Sequence, residues 1–208
     1  RACKDAAGWP EHIDLAVNVS PVQLLDPRLP QTVSQALADS GLAPERLELE
    51  ITETALLNND EAALRTLTHI RDQGVRISLD DFGTGYSSLS YLHRFPISRI
   101  KIDKSFVRDI ESRSDSRSIT QATIALAHSL GMRCTAEGVE THFQAEFLRD
   151  IGCQELQGFF ISRAKPLDKL HHIIDLLPAD FASPKRESDV ATAADNTIQF
   201  PAAKSAQA

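Results

Sequence analysis

The sequence predicts an α/β fold, a TIM-type (β/α) barrel, and three observations lead there. Apolar strands alternate with amphipathic helices along almost the whole chain, the pattern of a parallel sheet. Nearly every strand runs into a polar or charged residue at its C-terminal end. A barrel gathers its functional groups in that way, whereas an open doubly wound sheet gathers them at one switch point. No glycine-rich nucleotide fingerprint follows any strand.

In order along the chain, Ile13 to Val17 reads as a strand ending in Asn18, and Leu29, Val33 and Leu37 mark a helix that stops at Gly41. Leu47-Glu48-Leu49 leads into Glu50, and Leu64, Leu67 and Ile70 give the next helix before Gly74. Val75 to Leu79 runs into Asp80-Asp81, followed by a short helix with Leu89, Leu92 and Phe95 that Pro96 cuts off. Ile100 opens Lys101-Ile102-Asp103, and Ile119, Leu126 and Leu130 define a buried helix face before Gly131. Arg133 to Ala136 ends in Glu137. Thr141 and Gln144 form a capping box for a helix with Phe143, Phe147 and Ile151 inward and Gly152 as its stop. Gln154 to Leu156 ends in Gln157, and Pro166 starts a last helix with Leu170, Ile174 and Leu177. These make six strand–helix units.

The most informative stretch is Asp80-Asp81-Phe82-Gly83-Thr84-Gly85-Tyr86-Ser87-Ser88. Two adjacent carboxylates repel and resist desolvation unless a cation or hydrogen-bond donors hold them, which points to a divalent-metal site. The competing reading makes Asp81 the cap of a helix starting near Ser87 and Asp80 a turn residue. Lys101 likewise has two readings, a site cation or an ordinary salt bridge to Asp103. Gln23, in Ser20-Pro21-Val22-Gln23-Leu24, is either a phosphate or guanine contact or a solvated loop residue.

At 208 residues and 42% hydrophobic content the chain can bury a sizeable core. A net charge of −7, a pI near 5.5 and no Lys/Arg stripe argue against DNA as a partner. Cys3, Cys134 and Cys153 lack metal-binding spacing, no histidine sits at a strand end, and free thiols fit a reducing, cytoplasmic setting. No apolar run reaches membrane-spanning length.

The motifs Asn18-Val19-Ser20, Glu50-Ile51-Thr52-Glu53, Asp80 to Ser88, Lys101-Ile102-Asp103, Ala136-Glu137-Gly138-Val139-Glu140-Thr141 and Gln157-Gly158-Phe159 carry a family resemblance in their order. The chain resembles the EAL domain, the cyclic di-GMP phosphodiesterase of bacterial signalling, over residues 13 to 178. The Glu-Ala-Leu strand that names the family, with a metal-ligand Glu and a phosphate-holding Arg nearby, is missing here. The expectation is therefore a barrel domain over residues 1–182, incomplete at its N-terminus with about six of eight strands. A disordered tail is expected over 183–208, which is rich in Ala, Ser and Asp. Arg163-Ala164-Lys165-Pro166 departs from the family's usual Arg-Pro-Leu-Pro, which bears on the rim and not on the metal centre.

The resemblance implies hydrolysis of cyclic di-GMP to the linear dinucleotide with Mg2+ or Mn2+, two ions in all. It implies Asn18, Glu50, Asp80 and Glu137 as metal ligands, with Asp81 at a second ion or its water. Lys101 would orient the attacking water, and Glu53 would brace the Asp81 to Ser88 loop. Asp103 and Glu140 would support the site, Glu140 near its water network, and Gln157 would lie near metal or substrate; for Glu140 and Gln157 a helix-cap or loop-tether role stays open. It also implies a homodimer and an upstream GGDEF or sensor domain as partners. Two other classes remain: a non-catalytic cyclic di-GMP receptor or interaction module, and a magnesium-dependent barrel enzyme of the enolase kind, which lacks a suitable base other than Lys101.

Overall fold

The computed structural model describes residues 1–57, 60–83 and 89–174. The expectations for Thr84 to Ser88, for Leu177 and for the 183–208 tail fall outside these residues.

The chain opens with α1 (Ala2–Ala7) and then alternates: β1 (Leu15–Val19), α2 (Pro21–Leu24), α3 (Leu29–Ser40), β2 (Leu47–Thr52), α4 (Glu53–Leu57), α5 (Asp60–Arg71), β3 (Arg76–Phe82), α6 (Leu89–Arg94), β4 (Arg99–Ile102), α7 (Lys104–Arg108), α8 (Ser114–Ser129), β5 (Arg133–Ala136), α9 (His142–Asp150), β6 (Glu155–Leu156) and α10 (Leu167–Ile174). The six strands form one all-parallel sheet in strict sequence order, β1 to β6, with β1 and β6 at its two edges. A doubly wound sheet reverses its order near the middle, whereas a barrel advances one strand at a time. The sheet is a curled, unclosed arc of a (β/α) barrel.

Strand side chains alternate between faces, and here the two faces differ sharply. Leu47, Leu49, Ile51, Ile77, Leu79, Ile100, Ile102, Cys134 and Ala136 point to the helices and are buried. They pack into one core with Leu37, Leu67, Ile70, Leu92, Ile124, Ala127 and Leu148. The intervening residues, Glu48, Glu50, Ser78, Asp80, Arg99, Lys101 and Thr135, line the concave side. The core therefore lies between sheet and helices, and the barrel interior is polar.

Local signals explain the helix ends. The α3 helix stops at Gly41, whose φ of 71° is left-handed and costs a side-chain-bearing residue strain. Thr141 and Gln144 make the expected capping box at α9. Two expected inward residues instead face out: Ile119 and Phe143 are both 45% exposed. The buried face of α8 is Ser116, Thr120, Ile124 and Ala127, since small side chains let that helix lie close to the sheet. Phe143 stacks on Phe147 across the surface of α9, with ring centroids 6.4 Å apart, while Gln144 and Leu148 take the interior. The first strand starts two residues later than expected, which puts Asn18 inside it.

Candidate active site

The concave face brings the strand-end residues together around one ammonium group. Lys101 on β4 places Nζ 2.6 Å from Glu137 Oε1, 2.8 Å from Glu50 Oε1 and 3.2 Å from Asp80 Oδ1. Glu50 comes from β2, Asp80 from β3, and Glu137 directly follows β5, its amide donating to the Ile102 carbonyl at 3.1 Å. Lys101 is only 4% exposed. Burial works against its charge, but hydrogen bonds to Glu137 and Glu50 outweigh burial and raise its pKa. The same burial pushes the Glu137 carboxyl above the usual carboxylate range; Lys101 opposes this, and the charges of Asp80 and Glu50 add to it.

Asp80 and Asp81 both reach this cluster because β3 bulges between them. Leu79 pairs with Ile100 and Phe82 with Ile102, so β3 spends one residue more than β4 over this interval. Asp81 absorbs the extra residue at φ 55°, the only left-handed residue other than glycine among the described residues. Carboxylate oxygens of Asp80, Asp81 and Glu137 consequently lie within 4.8 Å of one another. Burial, with Asp80 and Asp103 as neighbouring charges, raises the pKa of Asp81 against the pull of Lys101 and Lys104. Three convergent hard oxygen donors suit Mg2+, Mn2+ or Ca2+ and not a soft-ligand metal.

The remaining expected residues take other positions. Asn18 sits in register beside Glu50, on the exposed edge strand. Gln157 follows β6, and with Glu50 and Lys101 it lines a cavity of about 330 Å3 on the concave face. Gln23 completes a capping box with Ser20 at the start of α2. Asp103 accepts the Ser105 amide at 2.9 Å and caps α7, so Lys101 is bonded to the acid cluster and not to Asp103. Glu140 is exposed just before α9. Glu53 opens α4 with both carboxylate oxygens buried and without a hydrogen-bond partner among the described residues.

The family model for the EAL domain matches residues 1–164. The chain belongs to the EAL domain family. An uncharacterized signaling protein of Caulobacter vibrioides is 51% identical to this EAL domain over 170 residues, covering 82% of this chain and 21% of that protein. Among solved structures, the PaMucR phosphodiesterase in its c-di-GMP complex superimposes with a TM-score of 0.78 at 41% identity, over 81% of this chain and 70% of that one. A manganese and cyclic di-GMP complex of Klebsiella pneumoniae BlrP1 gives a TM-score of 0.71 at 33% identity, over 76% of this chain and 41% of that one. The chain spans a fifth to a quarter of the length of the curated relatives it matches. Among the described residues of this EAL domain, no helix is long and apolar enough to cross a membrane.

Beneath the acid cluster of the EAL domain lies a second polar layer that sequence reading passed over. Glu48 Oε2 is 3.2 Å from Arg99 Nε, and Arg99 also bonds Glu155. Arg133 meets Glu155 at 2.7 Å, and Arg76 meets Asp14 at 2.6 Å. The signal was present in the spacing: Glu48, Arg99 and Glu155 each stand two residues before Glu50, Lys101 and Gln157, on the same strand face.

Proposed function

We propose that this EAL domain hydrolyses cyclic di-GMP to the linear dinucleotide. The observation that carries the reading is Lys101 held among Glu50, Asp80 and Glu137 at the end of the barrel where such enzymes work. In this reading Asn18, Glu50, Asp80, Asp81 and Glu137 would hold two Mg2+ or Mn2+ ions, which when bound supply Lewis-acid activation of water and neutralise phosphate charge.

The protein's own groups do the rest. Lys101 donates hydrogen bonds from Nζ to the attacking water and offsets the charge that builds on the phosphoryl oxygens. Its raised pKa keeps it protonated at neutral pH, so it acts as a donor and not as a base. The carboxylates around it would take up the proton released as the water oxygen bonds to phosphorus; one P–O ester bond breaks with its electron pair leaving on the ribose oxygen, which takes a proton from solvent. Gln157 and Gln23 flank the substrate. Asp103 and Glu140 fix the start of α7 and the approach to α9. PaMucR and BlrP1, both solved with this dinucleotide, support the substrate assignment. We further infer a homodimer and an upstream GGDEF or sensor domain in a cytoplasmic signalling protein.

The test is cyclic di-GMP turnover followed by chromatography, with and without Mg2+ or Mn2+, on the chain with its native flanking sequence. Metal-dependent linear dinucleotide is expected. Binding without product in either metal would replace this reading with a receptor.

A further inference from the structure

We propose that Arg99 is a positioning residue: by neutralising Glu48 it keeps Lys101 turned toward Glu50 and Glu137 and away from the carboxylate directly below. The proposal rests on the phosphodiesterase reading for its kinetic part and on geometry alone for the rest.

Barrel interiors are built in layers contributed by alternate strands. The interior here follows that rule with charged residues in place of the usual branched apolar ones. The even strands supply Glu48, Arg99 and Glu155 in one layer and Glu50, Lys101 and Gln157 in the next. Ser78 on β3 is fully buried and small, which lets the long side chains of β2 and β4 meet across it at both levels.

Glu48 is 4% exposed, and its cationic neighbours are Arg99 at 3.2 Å and Arg76 at 4.0 Å. An uncompensated buried carboxylate pulls hard on any flexible cation within reach. Lys101 is two residues along the strand from Arg99, on the same face, and its long stem can swing. In the upper layer it is held by the same carboxylates that would bind cations. Any cation charge arriving there weakens its hold on Lys101 and favours a downward turn. Arg99 removes the alternative by neutralising Glu48 as a close ion pair, 3.2 Å from Nε to Oε2 without an aligned hydrogen bond, while its other arm holds Glu155. Glu155 keeps Arg133 as a second partner, so Glu48 is the group that Arg99 alone secures closely.

The experiment compares Arg99→Met, Glu48→Gln and the double variant in the full-length parent protein. It measures kcat and KM for cyclic di-GMP and the crystallographic position of Lys101 Nζ with and without Mn2+. We expect Arg99→Met to lower kcat about 100-fold, as a small misplacement of a catalytic group does, with KM within about twofold. Lys101 Nζ should then lie in hydrogen-bond contact with Glu48. Glu48→Gln should leave kcat near wild type, and adding it to Arg99→Met should restore most of the lost turnover. A double variant as impaired as Arg99→Met, or Lys101 unmoved in Arg99→Met, would overturn the proposal. Should Arg99→Met fail to fold, the double variant, which removes both buried charges, decides by its turnover. A wild-type protein without turnover would refute the enzyme reading, and the Lys101 position would still decide this one.

Discussion

Asp80 and Asp81 are consecutive residues of one strand, yet their carboxylates converge with Glu137 on a single side of the sheet. Regular strands send neighbours to opposite faces. The bulge opposite Ile100 to Ile102 and the left-handed backbone at Asp81 cancel that alternation for one step. Local strain is thus stored where the three carboxylates converge.

Backbone and carboxylate can be separated at Asp81. Asp81→Gly should relieve the left-handed strain and stabilise the fold by up to about 1 kcal/mol, whereas Asp81→Val should cost about 1–3 kcal/mol. Both should weaken Mn2+ binding. Urea unfolding and metal titration on the same variants check this; equal stability of the two would remove the strain argument.

Lys101→Met takes the cation from among three carboxylates that are mostly shielded from water. Loss of one partner from such a cluster costs about 3–5 kcal/mol in metal-free protein. Added Mn2+ should return much of that stability, while turnover should stay at least about 100-fold down. Glu137→Gln should lose similar turnover with a smaller stability change, since burial already disfavours its charge. Melting curves with and without Mn2+, beside turnover, test the pair. Because the Lys101 pKa is raised, its contribution to stability is complete below the ordinary value of 10.5 and is lost only at more alkaline pH.

Most of the architecture is legible in the sequence. Strand positions, the capping box at Thr141 and the polar residue at each strand end follow from hydrophobic period and cap chemistry, which are local. The bulge was not legible, because Asp-Asp after an apolar run fits both a cap and a ligand pair until pairing with β4 is known. The Glu48–Arg99 layer is hidden for a related reason: a charged residue between two leucines reads as solvent-facing until its partners across the concave side are known. The buried face of α8 is not legible because Ser116 and Thr120, which are buried, carry little hydrophobic signal.

Glu53 is 7% exposed and holds two buried oxygens without hydrogen bonds among the described residues. Retaining such a group costs about 1–3 kcal/mol or more. Glu53→Met should therefore raise the unfolding free energy by about that amount, as urea unfolding would show. A destabilised variant would mean that the carboxylate is better compensated than its surroundings indicate.

The thiols offer a pH test. Burial pushes Cys134 and Cys153 up to about 12, while Cys3 is partly exposed. A thiol reagent at pH 8 should titrate Cys3 in the native chain and the other two only after denaturation. Unfolded thiols ionise from about 9, so the folded state binds more protons between there and about 12. Their contribution to stability is complete below pH 9 and falls as pH climbs through that window.

Gly158 tolerates no side chain. A Cβ there would collide with the carbonyl oxygen and the nitrogen of Val139, both backbone atoms that cannot rotate aside. Gly158→Ala should cost at least about 2–3 kcal/mol by forcing the strand ends apart. Thermal unfolding measures it, and a near-neutral result would show that the Val139 turn can move.

The strict sequence order of the strands has a consequence for how the molecule is made. Register partners lie near one another in the chain, from Thr135 with Glu155 to Arg99 with Arg133, so each crossover can form without waiting for distant segments. Sheet growth can begin at any neighbouring pair and extend both ways. The candidate site residues, by contrast, are spread from Asn18 to Gln157. The polar site is therefore complete only at the end of assembly, and a half-grown sheet already possesses an apolar core without the full set of groups on its concave face.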